Sequence, residues 1–170
     1  MFTARHFRNR PLINVVDGKH LGTIEDLYLD KSLDMVKAVF MGSEGFITRR
    51  SHVIDIASVQ VCGADAWLVH GADKVVDLDQ YPEADSIVLA GALKGREIQT
   101  DGGTKIGTVD DVLLDGEAKV LGFSLGRVHV HGPLAERRQI ARAAISNVGS
   151  QDHPMIARLE TAESVEIPER

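Results

Sequence analysis

The ten residues Leu21-Gly-Thr-Ile-Glu-Asp-Leu-Tyr-Leu-Asp30 return as Ile106-Gly-Thr-Val-Asp-Asp-Val-Leu-Leu-Asp115, and Gly22/Gly107, Thr23/Thr108, Asp26/Asp111, Leu29/Leu114 and Asp30/Asp115 are identical. An internal repeat constrains the fold strongly, because both copies must build the same elements. The spacing of 85 also aligns Gly18 with Gly103. Downstream, one residue is lost in a turn, and a spacing of 84 pairs Val36/Val120, Ala38/Gly122, Val39/Phe123 and Gly42/Gly126. The copies are expected to rejoin at Ile56–Val59 and Ile145–Val148, now 89 apart. This divides the chain into a first unit over 1–76, a linker over 77–92 and a second unit over 93–170. The linker carries Asp77, Asp79, Glu83 and Asp85. Its end, Ile87–Leu93, is too apolar to be left in water and predicts a short strand or packing between the units; a short helix from Pro82 is the alternative.

Within each copy the apolar runs are short, rich in Val and Ile, and bounded by Gly- and Asp-containing turns, which is the strand pattern. Strands are expected near 12–16, 21–30, 35–41, 46–50, 59–62 and 66–71, then near 96–100, 106–115, 119–125, 127–131 and 154–159. Counting by twos from Leu21 leaves Ile24 on the wrong face for Leu27, so a bulge near Glu25-Asp26 is expected, and another at Asp110-Asp111. Gly18, Gly22, Gly103 and Gly107 are assigned to turns and bends, with Asp26 and Asp111 accepting N–H groups that the bulges leave unpaired. Residues 133–148 can be laid on a helix, but a strand end or loop followed by one helical turn fits both copies better. The expected fold class is all-β: two tandem small barrels with short helical turns, docked on each other because a unit of this size buries too little surface alone.

Composition narrows the partners. A 44% apolar share with a net charge of −6 over 170 residues describes a chain that folds. Cys62 is the single cysteine, so no internal disulfide is available and a reducing, cytoplasmic setting is expected. No export signal is read in residues 1–16, and the longest run free of strongly polar residues, 87–93, is far short of a membrane span. Net negative charge and 5% aromatic residues argue against nucleic acid.

The stretch Leu93-Lys-Gly-Arg-Glu-Ile98, Asp101-Gly102-Gly103-Thr-Lys-Ile-Gly107 and Val109-Asp-Asp-Val-Leu-Leu-Asp115 resembles the opening of a PRC-barrel domain. That family includes the cytoplasmic domain of the photosynthetic reaction-centre H subunit and the C-terminal domain of the ribosome maturation factor. The first copy repeats the pattern as Arg10-Pro-Leu-Ile13, Asp17-Gly18, Leu21-Gly22 and Ile24-Glu-Asp-Leu-Tyr-Leu-Asp30. The resemblance implies tandem PRC-type barrels that are not enzymes and bind protein partners in assemblies; no cofactor and no metal are expected from the residues. The specific roles of the two named relatives are not expected to transfer.

Four motifs bear on chemistry or binding. Gly122-Phe-Ser-Leu-Gly126 satisfies G-x-S-x-G and raises a small hydrolase using Ser124, but that chemistry needs a strand-to-helix turn on a large α/β sheet, and Phe40 stands at the serine position of the first copy. His129 and His131, two apart on an expected strand, raise a metal-dependent sensor, but two ligands alone make a weak site. The glycines of 102–107 lack the ending of a phosphate loop. Arg49-Arg50 and Arg137-Arg138 occur in both copies of an acidic chain and are the first choice for gripping an acidic protein partner. Self-association is left open.

Overall fold

The computed structural model describes residues 1–169. Short β-branched runs between turns form the strands. In chain order these are β1 (Phe2–Thr3), β2 (Pro11–Asn14), β3 (His20–Thr23), β4 (Asp26–Asp30), β5 (Val36–Glu44), β6 (Arg50–Asp55), β7 (Val59–Cys62) and β8 (Trp67–Val69). They continue as β9 (Val75–Asp77), β10 (Ile87–Leu89), β11 (Glu97–Gln99), β12 (Lys105–Leu114), β13 (Val120–Val128), β14 (Gln139–Ala141), β15 (Ile145–Asn147) and β16 (Met155–Ala157). Two short helices, α1 (Pro133–Arg137) and α2 (Leu159–Ser164), and several 3-10 turns complete a mostly β chain.

The same pairings occur early and late in the chain. β2 runs antiparallel to β3 and parallel to β8, and β11 stands in the same relation to β12 and β16. β5 lies between β4 and β6 as β13 lies between β12 and β14. The late strands β11–β16 form, with β1 added, one seven-stranded half-barrel sheet, whereas the early ones divide into a four-stranded sheet and, with β10 added, a five-stranded sheet. The difference lies at the expected bends. β12 passes its bend as a bulge, with Val109 opposite Leu125 but Asp111 opposite Ser124, while the early chain leaves the sheet at Ile24-Glu25.

Two short strands also reach across. β1 pairs with the end of β12, Phe2 opposite Leu114, and β10 pairs with β4, Val88 opposite Leu29. The turns between the long strands exchange bonds as well: Val36 donates its N–H to the Ala118 carbonyl and Val120 donates to the Asp34 carbonyl, both at 2.9 Å. One continuous buried cluster follows, joining Leu27, Leu29, Ile54 and Trp67 to Val112, Leu114, Phe123 and Ile140. Each large aliphatic fully withdrawn from water there contributes about 1.5–3 kcal/mol before conformational entropy is subtracted.

Several expectations are corrected. The 46–50 segment is not a strand; β5 and β6 meet across it, and β6 starts at Arg50. β13 ends at Val128, so 129–131 is not a strand either. The late hairpin and its return are offset by 86 rather than 89, because Asp55 stands opposite Ala38 as Ala141 stands opposite Gly122, and 3-10 turns 56–58 and 142–144 follow directly. The helix-like periodicity of 133–148 loses to β pairing: α1 stops after five residues, where Arg138 takes a left-handed φ of 53° and β14 begins. Ile87–Leu89 is a strand, and 3-10 turns, not an α-helix, flank Pro82.

Candidate functional site

The β5–β6 hairpin differs most from its late counterpart. At its tip Phe46 and Ile47 have relative exposures of 108% and 101%, so neither ring nor branch touches the body of the protein. In the β13–β14 hairpin the connection instead folds back through α1, burying Leu134 completely and packing Val128 and Val130 against the core. Two large apolar side chains held in water on a hairpin tip offer contact area with no internal function. Neither stood out in the sequence, because both were absorbed into an expected strand. The one signal in the sequence is Ile47, which stands where the second copy has His131, beside Gly45 and two arginines.

The arginines sort unequally. Arg49 is exposed, with no carboxylate within 4.0 Å among the described residues, and Arg50 lies 3.8 Å from Asp77. His52 shares that carboxylate through Nδ1 at 3.2 Å. Arg137, by contrast, is turned inward: its Nη2 donates to the carbonyls of Ala162 at 3.0 Å and Glu163 at 2.8 Å, and its Nη1 stands 3.5 Å from Glu166. Arg138 donates to the Gly126 carbonyl. The two pairs do not occupy equivalent hairpin positions either, since Arg50 lies opposite Glu44 whereas Arg138 carbonyl receives the N–H of Leu125.

Asp26 and Asp111 sit at the junction between early and late elements. Each accepts the N–H of the next residue at 2.8 Å, Leu27 and Val112 respectively. Each also accepts a backbone N–H from across the molecule: Gly91 at 3.0 Å for Asp26 and Arg5 at 3.2 Å for Asp111. Burial pushes the Asp26 carboxyl above its ordinary range and the Asp111 charge adds to this, against the opposing pull of the Leu27 and Gly91 N–H groups and Arg8. The small cavity between them, about 80 Å³, also takes in Arg5, Arg8, Lys94 and Asp110. Gly18 and Gly103 lie in turns with φ of 73° and 86°. Gly22 and Gly107 stand inside β3 and β12, and at Gly107 any Cβ would collide with the Arg127 carbonyl oxygen.

The reactive candidates are not brought together. Ser124 lies mid-strand in β13, with its hydroxyl 3.5 Å from the Asp111 carbonyl rather than on a strand-to-helix turn. His129 and His131 are exposed on a non-strand segment past β13, and no group of three metal-ligating side chains exists among the described residues. The half-buried Cys62 thiol is pushed up to about 11 by burial and by the charge of Asp115.

Residues 87–137, the run from β10 to α1, match the PRC-barrel domain family. In general terms such a domain points to a non-catalytic module. No curated protein matches the chain. Among the described residues, no helix is long and apolar enough to cross a membrane.

Proposed function

We propose that this chain is a non-catalytic binding module built from two PRC-type barrels, 1–76 and 93–170 joined by 77–92, that docks a protein partner through the β5–β6 hairpin tip. The observation that carries the reading is the full exposure of Phe46 and Ile47 beside Arg49 and Arg50. Apolar anchors supply binding energy once desolvated, and a flanking arginine sets orientation against a carboxylate on the partner. The partner surface that fits is an apolar pocket rimmed by acidic residues. The recurrence of strand pairings supports the two-barrel description, and a lone thiol that can form no internal disulfide fits a reducing, cytoplasmic setting.

The test compares proteins recovered on the unsubstituted chain with those recovered on F46S/I47S and on R49E/R50E, with sedimentation of each to detect self-association. Partners, or a second copy, are expected to be lost from both variants while both keep the parent melting temperature. Equal recovery on F46S/I47S would overturn the proposal.

A further inference from the structure

A second feature is independent of the hairpin. Between β4–β5 and the β15–β16 loop lies a half-open cavity of about 470 Å³, whose apolar side is Leu33, Val88 and Ala92 and whose charged side is Lys31 and Arg96. Its size is that of a small-molecule site, apolar with a few placed polar groups. The chain has more acidic than basic residues, 25 against 19, yet no acid lines this cavity. Arg96 is half-buried, and the one acceptor it meets among the described residues is the Val148 carbonyl, 3.2 Å from Nη1. Glu97 and Asp152 border a separate depression with Arg96, outside ion-pair distance of it. A guanidinium has five N–H donors in a planar fork, so most of its bonding capacity toward an oxyanion is unused.

The other half shows why the space is there. Residues 2–10 correspond to 88–96: Phe2 opposes Leu114 as Val88 opposes Leu29, and Asn9 donates to Ile24 as Gly95 donates to Val109. The position of Ala92 is thus that of His6, and the position of Val88 that of Phe2. His6 spans the gap to the β7–β8 loop, with Nε2 3.1 Å from the Ala64 carbonyl, and stacks on Phe2 at 5.4 Å between ring centroids. Alanine at 92 and valine at 88 remove both rings and leave the equivalent gap open beneath the loop at Gly149–Gln151.

We propose that this cavity binds a small organic carboxylate, its apolar group against Leu33, Val88 and Ala92 and its carboxylate on Arg96 and Lys31. Withdrawing Arg96 from water penalises its charged form, and a bound carboxylate offsets that penalty. The pairing of a fork-shaped donor with a carboxylate favours this anion over a neutral isostere.

The test is an amide NMR titration of the full chain with 4-phenylbutyrate, 4-phenylbutanol and an acetylated peptide ending in phenylalanine. Saturable shifts are expected from 4-phenylbutyrate at Leu33, Val88, Ala92 and Gly149–Gln151, with the alcohol about tenfold weaker. R96Q is expected to weaken the acid by about tenfold, and A92H, which installs the ring of the other half, to abolish binding while leaving distant amides unmoved. Absence of saturable shifts, equal binding of the alcohol, or unchanged binding to A92H would overturn the proposal. Tighter binding of the peptide would overturn it in favour of a partner chain terminus. A92H keeps the test decisive if R96Q fails to fold.

Discussion

The Asp26 carboxylate holds the backbone N–H of Gly91 at 3.0 Å, 65 residues away, and Asp111 holds that of Arg5 in the matching contact. The two bends are therefore also the fasteners between early and late elements. Asp111 is mostly buried, with a side-chain exposure of 10%, and accepts two N–H bonds; Asp110, at 36%, makes exposed ion pairs with Arg5 and Lys94. Losing hydrogen bonds to a charged acceptor costs about 1.5–3 kcal/mol, whereas exposed ion pairs are worth about 1 kcal/mol or less. D111A is expected to lower the melting temperature by about 4–8 °C and D110A by about 2 °C or less. Equal shifts in differential scanning calorimetry would remove the fastener account.

Asp26 adds a pH dependence of definite sign. Its pKa in the fold lies above the ordinary value of 3.8. In the window between those two values the folded chain binds more protons than the unfolded one, so this group's contribution to stability falls as pH rises. D26N has no such titration. The melting temperature of D26N relative to the parent is therefore expected to rise between about pH 3.5 and pH 7; a relative fall would contradict the burial of the carboxylate.

How much of this was legible follows from which signals are local. The β character, the bends and the two aspartates were readable because glycine spacing and broken alternation are properties of ten neighbouring residues. The partners of those aspartates were not, since Gly91 and Arg5 carry no mark that they cross to the opposite half. The hairpins misled for a related reason. Phe46 and Ile47 have the same composition as strand residues, and what separates them from Val128 and Val130 is the packing at the far end of the chain. Arg137 resembled Arg49 in sequence, yet it lies within reach of the α2 carbonyls and Arg49 does not.

That contrast is testable. Arg137 satisfies carbonyls at the end of α2, groups a helix terminus leaves without internal partners. R137A is expected to cost about 1.5–3 kcal/mol and to speed amide exchange over 159–167, while partner recovery through the hairpin stays at the parent level. Loss of partner recovery without a change in exchange would return Arg137 to the docking surface.

The segment between β9 and β10 covers the outer face of the early sheet, held by the Tyr81 hydroxyl, by the Lys37–Glu83 ion pair at 3.2 Å and by the packing of Leu78 and Ala84. Tyr81 packs with Tyr28, Ala38 and Val53, donates its O–H to the Asp55 carboxylate at 2.6 Å, and lies 3.3 Å from the Lys37 carbonyl. Burial and the bond to Asp55 both push the phenol above its ordinary range, as expected for a proton held between the two oxygens. Y81F keeps the ring's apolar contacts and removes the bond to a charged acceptor, a change worth about 1.5–3 kcal/mol. The melting temperature is expected to fall by about 3–6 °C, and amide exchange over 78–84 to accelerate more than exchange in β12 or β13. Uniform acceleration across all three sheets would mean that Tyr81 supports the whole fold rather than pinning this cover. No acceleration at all would mean that ring burial, not the hydroxyl, keeps the cover closed.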